Sequence, residues 1–171
     1  MRAVWEVSSA LPGRDIAVDL GSCAASEGKA SVAFMAGADL VVLPEGAAAK
    51  VCGEAVGSAR IFGSKAALDI RGTSDTLFAA QKGIELGFDY LLIRPSELFR
   101  WSESAGHLSE ENPGLPLIVD GEGDIDAALF EGGFVVGVVV GASVLEAPDP
   151  AFAAGRLKSL IRDASRRRTA A

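Results

Sequence analysis

The chain has 171 residues, 49% hydrophobic and 23% charged, which is enough apolar material for one packed core and argues against a disordered polymer. Sixteen Lys and Arg stand against twenty-three Asp and Glu, a net charge of −7, so no basic excess remains for a nucleic-acid phosphate backbone. No apolar run reaches the roughly 20 residues of a membrane span, and the start Met1–Glu6 lacks the apolar stretch of a signal peptide, so a cytoplasmic protein without membrane contact is expected. Cys23, Cys52 and the lone His107 are too few for a disulfide framework or a zinc site, and they leave a His-based triad only one candidate base.

In chain order, helix-like and strand-like segments alternate about every 25 residues. A helix over 2–10 and a turn to residue 14 precede the strand Ile16–Leu20. The helix 25–36, capped by Ser26 and stopped by Gly37, leads to the strand Leu40–Leu43. A helix over 46–57 is followed by the strand Ala66–Ile70, and a helix over 74–86, between Ser74 and Gly87, by the strand Tyr90–Ile93. Residues 100–114 are polar and aperiodic, reading as a loop or degraded helix that could serve as a lid. The strand Leu117–Val119, a helix over 124–131 ending near Gly133, the strand Val135–Val140 and a helix over 150–167 opened by Asp149-Pro150 complete the series. The strands are apolar on both faces, the pattern of parallel strands buried between layers. One domain over 1–171 is expected, with the basic residues 165–171 as a solvated helix end.

Two junctions share one plan: Gly37-Ala38-Asp39-Leu40-Val41-Val42 and Gly87-Phe88-Asp89-Tyr90-Leu91-Leu92. Repeated β/α units place chemistry at the C-terminal ends of their strands. Asp19 and Asp69 lie inside apolar runs, where a buried carboxylate needs a partner. Arg71 or Arg94 could supply it, so a structural ion pair stands beside a functional reading for both aspartates.

The stretch from Asp15-Ile16-Ala17-Val18-Asp19-Leu20 to Val42 resembles the third β/α unit of hexulose phosphate synthase and ketogulonate phosphate decarboxylase, in the orotidine monophosphate decarboxylase superfamily. Ala67-Leu68-Asp69-Ile70, Leu86–Ile93 and Val139–Val144 with Ala147-Pro148-Asp149-Pro150 are similar to later strands of that family. The resemblance implies a dimeric (β/α)₈ barrel performing aldol or decarboxylation chemistry on sugar phosphates through a metal-stabilised enediolate. It gives Asp19 and Asp69 catalytic and metal-binding roles, with Mg²⁺ as the implied metal and no organic cofactor. Arg94 stands where the family has its catalytic histidine, and is assigned to oxyanion stabilisation. Asp120, Gly121, Glu122, Gly141 and Ser143 fall at the substrate-binding positions.

The departures fall on the chemistry. The family's Asp-x-Lys-x-x-Asp motif meets Asp19, Gly21 and Ala24, so the lysine and the second acid are absent. Its phosphate-gripping Gly-Gly turn meets Gly121-Glu122, and like charges about 4 Å apart repel by roughly 4 kcal/mol at an effective dielectric of 20. A barrel mouth would collect Asp19, Asp69, Asp120 and Glu122 opposite Arg94, which suits a divalent or organic cation better than a phosphate. Two functional readings follow. One is a carbon–carbon lyase acting on a small sugar-derived or carboxylate substrate with a weak phosphate grip; the other is a non-catalytic homologue serving as a binding or regulatory subunit. The fold expected is α/β, an incomplete barrel of about six parallel strands related to the (β/α)₈ barrel, with an open doubly wound sheet as its rival. The resemblance begins at the family's second helix, and such barrels use roughly 200 residues or more. The gap between Ile16–Leu20 and Val135–Val140 is expected to be closed by a second copy or homologous chain, by rearranged strands or by the N-terminal helix.

Overall fold

A computed structural model of the chain describes residues 1–96, 116–121 and 135–169. The expected helix over 124–131, Gly133 and the stretch 100–114 lie outside the described residues. The chain packs as two compact units, Met1–Leu91 and Leu92–Ala171.

The first unit holds α1 (Arg2–Ala10), β1 (Ala17–Asp19), α2 (Lys29–Met35), β2 (Leu40–Pro44), α3 (Ala49–Phe62), β3 (Lys65–Asp69), α4 (Thr76–Leu86) and the start of β4 (Tyr90–Ile93). β1 pairs with β2 and β2 with β3, both in parallel. Val41, Leu43, Leu68 and Leu91 are fully buried, and each such side chain contributes about 2 kcal/mol of transfer free energy. The helices present small residues to the strands: Ala55 and Ala59 on α3, Ala79, Ala80 and Gly83 on α4. Gly83 is seated against Leu68 and Leu91, where a Cβ would stand 2.8 Å from Leu91 Cδ2 and 3.2 Å from Leu68 Cδ2. Leu68 therefore points to the helix side of the sheet, and by strand alternation Ala67 and Asp69 point to the other side.

The two similar junctions do the same work. Gly37 and Gly87 take φ +99° and +80° just past their helices, a conformation that favours glycine, and a Cβ at Gly37 would collide with Ser8 of α1. The acid two residues on then reaches back to the preceding strand. Asp39 Oδ2 accepts the Ile16 N–H at 2.8 Å, and Asp89 Oδ2 accepts the Ala66 N–H at 2.9 Å while Oδ1 pairs with Lys65. A part-buried cluster ties α2 to α3: Glu54 accepts from the Gly28 amide and the Ser31 hydroxyl, and Ser31 lies 2.6 Å from Ser58.

The second unit contains the rest of β4, β5 (Leu117–Asp120), β6 (Val135–Val139), a short helix α5 (Ala142–Leu145) and α6 (Pro150–Thr169). β5 and β6 run parallel with a register shift between Leu117 and Ile118 that leaves Val136 as the extra, exposed residue. Asp149 caps the last helix by accepting the Phe152 amide at 2.9 Å, as its place before Pro150 predicts.

The six strands follow one another in the sheet in chain order, β1 to β6, and the fold is an incomplete β/α barrel of six parallel strands. A doubly wound sheet would reverse that order partway. Three expectations are corrected. β1 is not buried on both faces: as a sheet-edge strand it leaves Ala17 and Asp19 exposed and only Val18 half-covered. Ser26 does not cap α2, because a 3-10 turn over Gly21–Ala25 delays that helix until Gly28, and Asp75 rather than its neighbour Ser74 caps α4. Cys23, on the same 3-10 turn, is exposed rather than the small buried hydrophobe that a lone cysteine ordinarily is, while Cys52 is buried. No helix among the described residues is long and apolar enough to cross a membrane.

Candidate functional site

At the C-terminal ends of β2 and β3, where they meet the start of α4, lies an open cleft of about 420 Å³. Its walls come from Pro44–Gly46, from Asp69 and the loop Arg71–Asp75, and from Phe78 and Ala79 on the first turns of α4. The loop after β2 is held from three sides. The Glu45 amide donates to the Asp69 carbonyl at 2.9 Å, Lys82 Nζ donates to the Glu45 carbonyl and carboxylate at 2.8 and 3.0 Å, and the Cys52 thiol contacts the Ala47 carbonyl. Burial pushes the Cys52 thiol above its usual range, the Lys82 charge pulls it down and Glu45 pushes it further up.

Asp69 ends β3, and its partner is Arg71. Arg71 Nε and Nη2 donate to Oδ1 and Oδ2 at 2.9 and 2.7 Å, and the Arg71 amide adds a third bond to Oδ1 at 3.0 Å. The two side chains are about a fifth exposed. Asp19 ends β1, one row back from Asp69: it aligns with Val42, Val42 with Ala67, and Pro44 with Asp69. Both aspartates thus face the same side of the sheet, away from the helices. Asp19 is exposed rather than buried, and its Oδ1 accepts the Gly21 amide at 2.8 Å. Gly21, at the position of the family's lysine, takes φ +45° in this tight turn.

In the second unit, Arg94 follows β4 directly and is exposed. Asp120 is the last residue of β5 and is buried, and the Gly121 amide donates to the Val139 carbonyl at 2.6 Å, joining the ends of β5 and β6. Gly141 precedes α5 at φ −126° and ψ −129°, and Ser143 belongs to that helix. Glu122 lies outside the described residues. Every described candidate residue therefore stands at or just past the C-terminal end of a strand.

The donor set does not fit a divalent cation at Asp19 and Asp69. Such an ion needs several carboxylate or carbonyl oxygens turned toward it. Both Asp69 oxygens are engaged by Arg71, and among the described residues no three His, Cys, Asp or Glu side chains converge. Sequence reasoning missed the Glu45–Lys82 pair. Lys82 stands on α4 beside the buried Ala79, Ala80 and Gly83 and meets an acid 37 residues earlier, a separation that leaves no local signal.

No family model and no curated protein matches the sequence. Solved structures do. The 3-hexulose-6-phosphate synthase from Salmonella typhimurium superposes with TM-score 0.73 at 17% identity, over 95% of this chain and 80% of that one. The 3-keto-L-gulonate-6-phosphate decarboxylase from Vibrio cholerae gives 0.70 at 20% identity, over 97% and 78%. The KGPDC from Streptococcus mutans gives 0.70 at 20% identity, over 94% and 77%. The chain shares the barrel fold of these proteins, and the strand-end positions to which the sequence resemblance points are strand ends in this structure.

Proposed function

We propose that this is a hexulose phosphate synthase-like protein, a carbon–carbon lyase acting by enediolate-type chemistry on a small sugar-derived or carboxylate substrate. The observation that carries the reading is the Asp69–Arg71 pair at the mouth of the strand-end cleft. A carboxylate that can take a hydroxyl proton, beside a guanidinium that can receive the developing oxyanion, is the minimum set for breaking a bond next to a carbonyl. Arg94, Asp120, Gly121, Gly141 and Ser143 keep, in this reading, the roles that the resemblance implies. Mg²⁺ is a cofactor only if it displaces Arg71 from Asp69. A homodimer, or pairing with a homologous chain, belongs to the same proposal, as does a cytoplasmic location.

A second reading has its own support. The Arg71 fork already satisfies both Asp69 oxygens, and Gly21 offers no ammonium for proton delivery, which favours a non-catalytic binding or regulatory subunit. The deciding experiment follows release of aldehyde or carbon dioxide from a panel of ketose phosphates and unphosphorylated sugar acids, with and without Mg²⁺. The lyase reading expects turnover that falls at least about a hundredfold in Asp69→Asn. Ligand-induced stabilisation without turnover of any panel member establishes the second reading instead.

A further inference from the structure

We infer that the β2–β3 cleft receives a neutral, hydroxyl-rich small molecule rather than a phosphate ester. The inference deepens the reading of this same cleft given above and rests on it for the site's location only. The cations of the cleft are already partly neutralised by its own carboxylates. The Arg71 guanidinium is folded onto Asp69, and the Lys82 ammonium is held by the Glu45 carbonyl and carboxylate. At the start of α4, whose free amides attract an anion, the Phe78 amide is already taken by the cap, Asp75 Oδ1 accepting it at 3.0 Å, and the Asp75 carboxylate adds a negative charge there. Three carboxylates, of Glu45, Asp69 and Asp75, line the cleft against the Arg71 guanidinium and the Lys82 ammonium that pairs with Glu45, so its field is unfavourable to added negative charge.

Two other features point to what does fit. Thr73 Oγ1, on the loop that lines the cleft, is buried without a hydrogen-bond partner, a costly condition that a ligand hydroxyl reaching it would relieve. Phe78 borders the same cleft with 67% of its surface exposed, a flat apolar platform of the kind on which the C–H face of a sugar stacks. An apolar platform, an orphan hydroxyl and internally paired charges together describe a site for an uncharged polyol or ketose.

The test is isothermal titration of the full chain with D-fructose and with D-fructose 6-phosphate, a matched neutral and anionic pair, at low and at high salt. The expected result is saturable fructose binding that is insensitive to salt, and weaker or absent binding of the phosphate ester. Phe78→Ala should weaken fructose binding about five- to tenfold, the scale of one aromatic contact. Thr73→Val, which keeps the shape and removes the hydroxyl, should weaken binding while raising the melting temperature of the free protein, a pairing of signs that a purely structural threonine does not produce. Tighter, salt-sensitive binding of the phosphate ester, or fructose binding unchanged in both variants, overturns the inference. Fructose binding with no carbon–carbon cleavage in any assay sinks the lyase reading and leaves this one standing.

Discussion

The first unit uses aspartate at both ends of its strands, and uses it in opposite ways. At the strand starts, Asp39 and Asp89 each accept an amide from a strand 23 residues earlier, so a single carboxylate fixes the spacing of two neighbouring strands. At the strand ends, Asp19 and Asp69 bond to groups only two residues away, Gly21 and Arg71, and tie no strand to another. The same residue type is a cross-strand latch at one end and a locally held acid at the other. That is the division expected when a fold places its stability at one face and its chemistry at the other.

Removing these aspartates one at a time separates the latches from the locally held acids. Asp89→Ala strips the amide of the buried Ala66 of its acceptor and Lys65 of its partner, and should lower unfolding free energy by about 2 kcal/mol in urea titration. Asp39→Ala exposes an amide that solvent can partly satisfy, so about 1 kcal/mol is expected in the same measurement. Asp19→Ala should change stability by less than about 0.5 kcal/mol, since it loses one exposed local hydrogen bond. A loss as large as that of Asp89→Ala would erase the distinction between the two ends.

The smallest effect concerns pH. The hydrogen bond to Asp89, and then its charge, raise the Lys65 ammonium above the ordinary lysine value of 10.5. The folded chain holds that proton more tightly than the unfolded chain. The contribution is therefore fully present below pH 10.5 and is lost as pH rises through the raised folded value. Stability measured across that range should decline more steeply in the wild type than in Lys65→Met. Equal slopes would mean that Asp89 acts through its amide bond alone.

Much of this was legible beforehand. The repeated Gly-x-Asp junctions, the chain-order alternation and the positions of Asp19 and Asp69 near the ends of their apolar runs are local patterns that survive into the structure, whereas the caps at Ser26 and Ser74, equally local, do not. What the acids do was not legible, because the amide that Asp39 accepts belongs to Ile16 and the one that Asp89 accepts to Ala66, and strand register is a long-range quantity. The exposure of Asp19 was hidden for a related reason. An apolar run reads alike in a central strand and an edge strand, and only the sheet order shows that β1 has a neighbour on one side. Arg71 and Arg94 were equal candidates for pairing with Asp69 until the backbone turn after β3 folded Arg71 back on it. The Lys82–Glu45 pair spans 37 residues and joins a helix to a loop, a contact that no spacing rule anticipates.

The most direct test of the division of labour measures ligand-dependent turnover and urea stability side by side in Asp69→Asn and Asp89→Ala. The account predicts that Asp69→Asn loses carbon–carbon cleavage by at least about a hundredfold with a stability change under about 1 kcal/mol, while correctly folded Asp89→Ala keeps its activity and loses about 2 kcal/mol. Full activity in Asp69→Asn, under conditions where the wild type turns over, would contradict it.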